Sequence, residues 1–120
     1  MDVGIIGGTG PAGRALAARL ASVGLQVVIG SRSADRAGEI VDEIHKKWAD
    51  RDLPLHAAAN PEAAAAPLVV LATPWDAAAD TAAGLRAELS GKVVVSMGNA
   101  LAKIDGELQA VVPPGGSVAW

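Results

Sequence analysis

Gly8-Thr9-Gly10-Pro11-Ala12-Gly13 is a G-x-G-x-x-G run between a short apolar segment, Val3-Gly4-Ile5-Ile6, and a segment of helical spacing. Glycines at this spacing suit the binding of a pyrophosphate. Gly8 permits a tight turn, and Gly10 lets the main chain approach the phosphates. Gly13 lets the following helix pack on the first strand, and the helix N-terminus adds partial positive charge. The run alone carries little weight, but a strand precedes it, a helix follows it and a second strand comes at the right distance. The alternative is a purely structural glycine turn.

The end of the second strand separates the two nicotinamide dinucleotides. A site for the unphosphorylated form usually has Asp or Glu there, accepting from the ribose hydroxyls. Here Gly30-Ser31-Arg32 stands in that place, with Arg36 one helical turn further on. A hydroxyl and two guanidinium groups suit a 2′-phosphate dianion, since Arg makes charge-assisted, bidentate bonds to phosphate. NADP(H) is therefore the expected cofactor. The alternative is that both arginines are ordinary solvated charges.

Strands and helices must alternate to position these groups. Val3–Ile6 reads as a buried strand. Pro11 suits a first helical position, and Ala12–Val23 follows with Ala15, Leu16, Leu20 and Val23 as its apolar face, closed by Gly24. Leu25–Ile29 is a second strand, closed by Gly30. Ser33 can cap a second helix, Arg36–Lys47, which buries Ile40, Val41 and Ile44 with Trp48. Leu53–Ala57 is a weak third strand, and Asn60-Pro61-Glu62 a turn or short helix start. Leu68–Ala72 is the fourth strand, Asp76–Leu89 a third helix and Lys92–Ser96 the fifth strand. Beyond Met97 the regular pattern fades, and Pro113-Pro114-Gly115-Gly116 marks a loop. This alternation predicts an α/β fold: a doubly wound parallel sheet of about five strands with helices on both faces, the dinucleotide-binding (Rossmann) arrangement.

Composition narrows the function further. The 120 residues allow one domain, and 51% hydrophobic against 19% charged residues argues for a packed core. There is no Phe, Tyr or Cys, so Val, Ile, Leu and Ala must fill that core with helices lying close on the sheet. The lack of Cys excludes disulfides and thiol nucleophiles. A net charge of -3 offers nothing to nucleic acid. No segment is long and apolar enough to span a bilayer, and no basic stretch precedes the first strand, so a soluble cytoplasmic protein is expected. His45 and His56 read as surface residues, and two histidines without clustered carboxylates make no metal site. Trp75 either lines the cleft or fills the start of the third helix. An open edge after the fifth strand invites self-association into a homodimer.

The glycine run with its preceding Gly7, the Val28-Ile29-Gly30-Ser31-Arg32 segment and Ala72-Thr73-Pro74-Trp75 together resemble the NADPH-dependent reductases of coenzyme F-420, a deazaflavin. The resemblance extends through Met97-Gly98-Asn99 to Leu101. It implies hydride transfer between NADPH and the deazaflavin, two small-molecule partners. It also implies that Thr9, Ser31, Arg32 and Arg36 hold the 2′-phosphate. The segment Ala72-Thr73-Pro74-Trp75 would border the cofactor, with Met97-Gly98-Asn99 towards the nicotinamide. The cofactors carry the chemistry, so no catalytic residue is assigned. Members of that family continue past the position of Trp120 into a portion that completes the sheet, the deazaflavin pocket and the dimer contact. Residues 97–120 are accordingly expected to begin that portion, and the 120-residue chain to bind NADPH while reducing a deazaflavin only marginally. A stand-alone NADP(H)-binding module and another NADP-dependent reductase are the competing readings.

Overall fold

The computed structural model describes residues 1–113. Five strands form one parallel sheet: β1 (Val3–Ile6), β2 (Val27–Ser31), β3 (Leu55–Ala59), β4 (Leu68–Leu71) and β5 (Val93–Ser96), in the spatial order β3-β2-β1-β4-β5. Parallel neighbours need crossover connections, here supplied by α1 (Pro11–Ser22), α2 (Ala34–Lys47), α3 (Asn60–Ala63), α4 (Ala78–Gly84) and α5 (Arg86–Leu89). The doubly wound architecture expected from the alternation is therefore present.

Strand side chains alternate between two cores. Val3, Ile5, Val27, Ile29 and Leu55 face α1 and α2, whereas Ile6, Val28, Ala58, Val69 and Leu71 face Ala63, Ala64 and Leu85. Both faces of β1, β2 and β4 are covered, which is why these strands read as apolar runs.

The small-residue composition has a direct geometric use. On α1 the buried face is Gly13, Ala17, Ala18 and Ala21. The expected face holds in part: Leu16 and Leu20 are half-buried and pack against the first core, whereas Ala15 is exposed and Val23 is 73% exposed. Small residues on the inner face let the helix axis come close to the sheet, and the larger ones cover the flank. On the opposite side, a Cβ on Gly4 would lie 1.9 Å from the Ala63 carbonyl oxygen, and one on Gly30 would lie 2.8 Å from Ala63 Cβ. Two glycines thus make room for α3. Gly4→Ala should cost about 3 kcal/mol or more, since backbone rather than a flexible side chain must give way. Chemical denaturation would check this, and an unchanged midpoint would show that α3 can shift freely.

Several boundaries differ from expectation. Gly30 does not close β2: Gly30 and Ser31 pair with Ala58 and Ala59. The third strand runs Leu55–Ala59 instead of Leu53–Ala57, because parallel pairing of Val27 with Leu55 sets its register. Helix α2 begins at Ala34, two residues earlier than expected, with Ser33 Oγ accepting from the Arg36 N–H (3.3 Å) as its cap. The expected helix Asp76–Leu89 is divided. A 3-10 turn at Trp75–Ala77 precedes α4, and Leu85 (φ -112°, ψ 20°) separates α4 from α5 while burying its side chain in the second core.

Beyond Met97 the chain is more regular than expected. An antiparallel hairpin pairs β6 (Leu101–Ile104) with β7 (Glu107–Ala110). Its turn is Asp105-Gly106, both at positive φ (52° and 83°). An Asp-Gly pair between short apolar segments is a strong hairpin signal, so this element was readable. Of the expected Pro-Gly loop and Trp120, everything from Pro114 onward lies outside the described residues. Among those described, no helix is long and apolar enough to cross a membrane.

Candidate functional site

The β1–α1 turn is built from glycines with distinct duties. The left-handed residue of the turn is Gly7 (φ 66°), just before the glycine run, and a Cβ on it would also meet Thr73 Cγ2 at 2.7 Å. Gly8 lies buried beneath the turn, donating its N–H to the Gly30 carbonyl (3.0 Å). A Cβ on Gly13 would approach Gly8 Cα at 2.7 Å, so this residue packs the helix on the turn itself. Gly10 is different. It adopts φ -78°, ψ 171°, which any residue can reach, and a Cβ there would meet nothing within 4 Å. The described residues do not by themselves require glycine at this place.

Gly10 is also the N-cap of α1, with no side-chain cap bond, and Pro11 has no N–H. The Ala12 and Gly13 amides at this helix start therefore carry no side-chain acceptor, the ordinary situation for an anion site. Arg14 braces the turn. Its Nε donates to the Thr9 carbonyl (2.8 Å), and its Nη1 pairs with Glu43 of α2 (2.9 Å).

The chain leaves β1 toward β2 and β3, then returns to the other side at β4, so the sheet order reverses between β1 and β4. Outside the strand ends at that switch point, where such sheets hold their ligands, lies a cleft of about 470 Å³. One wall is Gly7, Thr9, Gly10, Pro11 and Ala12. The second is Ala72, Thr73, Pro74 and Trp75, and the third Met97, Gly98 and Asn99. Eleven of the residues singled out from sequence thus meet in one cavity. The ladder continues into two walls: Ala72 N–H donates to the Ile6 carbonyl (2.9 Å), and Met97 N–H to the Leu71 carbonyl (3.0 Å). Of the two roles considered for Trp75, the structure shows the cleft lining; its ring joins neither core cluster. Trp75 begins the 3-10 turn, while its Nε1–H donates to the Leu101 carbonyl (3.1 Å), holding the third wall against the second. Among the described residues, Thr73 Oγ1 is buried without a hydrogen-bond partner.

Ser31, Arg32 and Arg36 stand apart from that lining, at the carboxyl end of β2 beside the glycine turn. Ser31 is buried, and its Oγ accepts from the Ser33 N–H (3.3 Å). Arg32 is exposed and, among the described residues, makes no ion pair or hydrogen bond. Arg36 forms an exposed pair with Glu39 one turn along α2 (3.3 Å).

Sequence reasoning missed the parts played by Arg14 and Asn60, and named Gly7 without its conformation. The Gly7-Gly8 pair signals a turn without saying which residue goes left-handed. Asn60 is buried and accepts from the Gly7 N–H (3.2 Å), a contact across 53 positions that no local pattern announces. His56 is exposed as expected, whereas His45 is half-buried with Nε2 at 3.3 Å from the Leu55 carbonyl oxygen. Among the described residues no group of three or more His, Cys, Asp or Glu could hold a metal ion.

With this geometry in place, residues 2–100 match the family model described as NADP oxidoreductase, coenzyme F-420-dependent. The chain belongs to that family. Its relatives include the F-420-dependent NADP reductase of Methanothermobacter thermautotrophicus, 38% identical over 79% of this chain and 41% of the relative. The enzyme of the same name from Methanocaldococcus jannaschii is 36% identical over 99% of this chain and 55% of its own length. A crystal structure from Arthrobacter sp. FB24, provisionally described as an F-420-dependent NADP-reductase, superposes with a TM-score of 0.71 at 28% identity. That match covers 92% of this chain and 50% of the other. The chain spans about half the length of the relatives it matches.

Proposed function

We propose that this chain is the NADP(H)-binding part of an oxidoreductase that moves hydride between NADPH and coenzyme F-420. The observation that carries the dinucleotide reading is the open space at Gly10. Glycine there serves neither backbone strain nor internal packing, and a bound pyrophosphate supplies the missing reason. The uncapped amides of Ala12 and Gly13 support the same placement, and the unpartnered Thr73 hydroxyl fits a polar ligand in the cleft.

Arg32, free of internal partners among the described residues, and Ser31 would read the 2′-phosphate. Arg36 would join them, since an exposed pair such as its contact with Glu39 holds a side chain by only about 0–1 kcal/mol. Met97, Gly98 and Asn99 would border the nicotinamide. When bound, the nicotinamide and deazaflavin rings supply the hydride chemistry, and this chain's residues supply position and shelter. The deazaflavin as acceptor rests on family membership. A cytoplasmic setting belongs to the same reading, as does self-association through β5, where Val93, Val94 and Val95 are exposed at an open sheet edge.

Titration calorimetry with NADP+ and NAD+ tests the cofactor assignment. The phosphorylated form should bind roughly ten- to a hundredfold more tightly, the equivalent of about one charge-assisted hydrogen bond. Equal affinities would overturn the 2′-phosphate reading.

A further inference from the structure

Ser31 and Asn60 are the buried polar residues among those described, and Asn60 has no role in the reading above. It is the first residue of α3, yet its side chain does not cap that helix; the N-cap is Ala59, without a side-chain bond. The side chain turns instead toward the neighbouring strand ends. Its Oδ1 accepts from the N–H of Gly7, the left-handed residue of the glycine turn. The same oxygen lies 2.8 Å from where a Cβ on Gly30 would sit, so β2 carries a glycine where the carboxamide needs room. Gly8, next in the turn, is held by the Gly30 carbonyl. Two consecutive amides leaving β1 are thus fastened to points outside the turn, one by a side chain and one by main chain.

We propose that Asn60 is a positioning residue for the pyrophosphate turn. By accepting the Gly7 N–H it holds the left-handed peptide that aims Thr9 and Gly10 at the dinucleotide. The inference rests on the proposed NADP(H) site, but the bond it invokes can be measured without ligand. A buried donor that loses its acceptor is costly, so without Asn60 the Gly7 peptide would rotate toward water and the turn would loosen.

The test uses Asn60→Ala, Asn60→Asp and the unaltered chain, each with NADP+ and with adenosine 2′-monophosphate. The second probe engages the end of β2 but has no pyrophosphate. Asn60→Ala should bind NADP+ about tenfold more weakly, the size of one hydrogen bond, with the adenosine probe unchanged. Asn60→Asp, which keeps an acceptor oxygen in place, should recover most of that affinity. In amide hydrogen exchange without nucleotide, Gly7 should lose protection in Asn60→Ala while Gly8 keeps it. Unchanged NADP+ affinity and Gly7 protection in Asn60→Ala would overturn the proposal, as would a parallel loss for both probes, which marks general damage. If Asn60→Ala does not fold, Asn60→Asp decides: a folded protein with weakened NADP+ binding counts against the acceptor role. If the unaltered chain binds no NADP+, the functional reading fails, while Gly7 exchange still reports on the tether.

Discussion

Gly10→Val should abolish measurable NADP(H) binding while leaving the fold and its melting temperature nearly intact. The backbone at Gly10 already lies in the extended region, and a side chain there meets nothing within 4 Å. Replacing glycine removes some freedom from the unfolded chain, a gain of roughly 0.4–1 kcal/mol that offsets the poorer N-cap. The added branched side chain would instead fill the space a phosphate must enter. Forfeiting two amide bonds to an anion, at about 1.5–3 kcal/mol each, corresponds to a hundredfold loss or more. Gly13→Val is the contrasting control: its Cβ would run into the Gly8 backbone, so this variant should unfold. Calorimetry beside thermal melts separates the two. Normal binding by Gly10→Val would mean that the dinucleotide does not pass this turn.

Arg32→Ala should lower affinity for NADP+ roughly ten- to a hundredfold and leave the weaker NAD+ binding unchanged. Arg32 has no internal ion pair or hydrogen bond among the described residues, so its removal should not disturb stability. Arg36→Ala should have the smaller effect, because Arg36 is half-exposed and already shares its charge with Glu39. The NADP+ advantage should also shrink as salt is raised, since the phosphate contact is screened and a neutral hydroxyl contact is not. Matching losses for both dinucleotides in Arg32→Ala would assign that residue to the fold instead of to phosphate recognition.

The sequence by itself determined the layering of this protein. Val3–Ile6, Val27–Ile29 and Leu68–Leu71 are apolar runs that suit strands covered on both faces, and helical segments between them require parallel crossovers. It also determined the separate candidate walls, because glycine spacing, Gly30-Ser31-Arg32 and Ala72-Thr73-Pro74-Trp75 are local patterns tied to strand ends. It misplaced what depends on close packing between distant segments. The face of α1 is one case: Gly13 sits on Gly8, so the glycine and alanines turn to the sheet while Leu16 and Leu20 pack at its flank and Ala15 and Val23 stay exposed. At the break between α4 and α5, Leu85 is buried in the second core among residues of β1, β2 and β4.

Only the tertiary structure decided that Thr9, Trp75 and Asn99 share one cleft, that Trp75 holds the third wall through the Leu101 carbonyl, and that Gly10 is glycine for no internal reason. Each of these is a relation across space, set by sheet order and by the switch between β1 and β4. Periodicity reports which face a residue occupies, whereas distance to a partner dozens of positions away exists only once the chain has closed on itself.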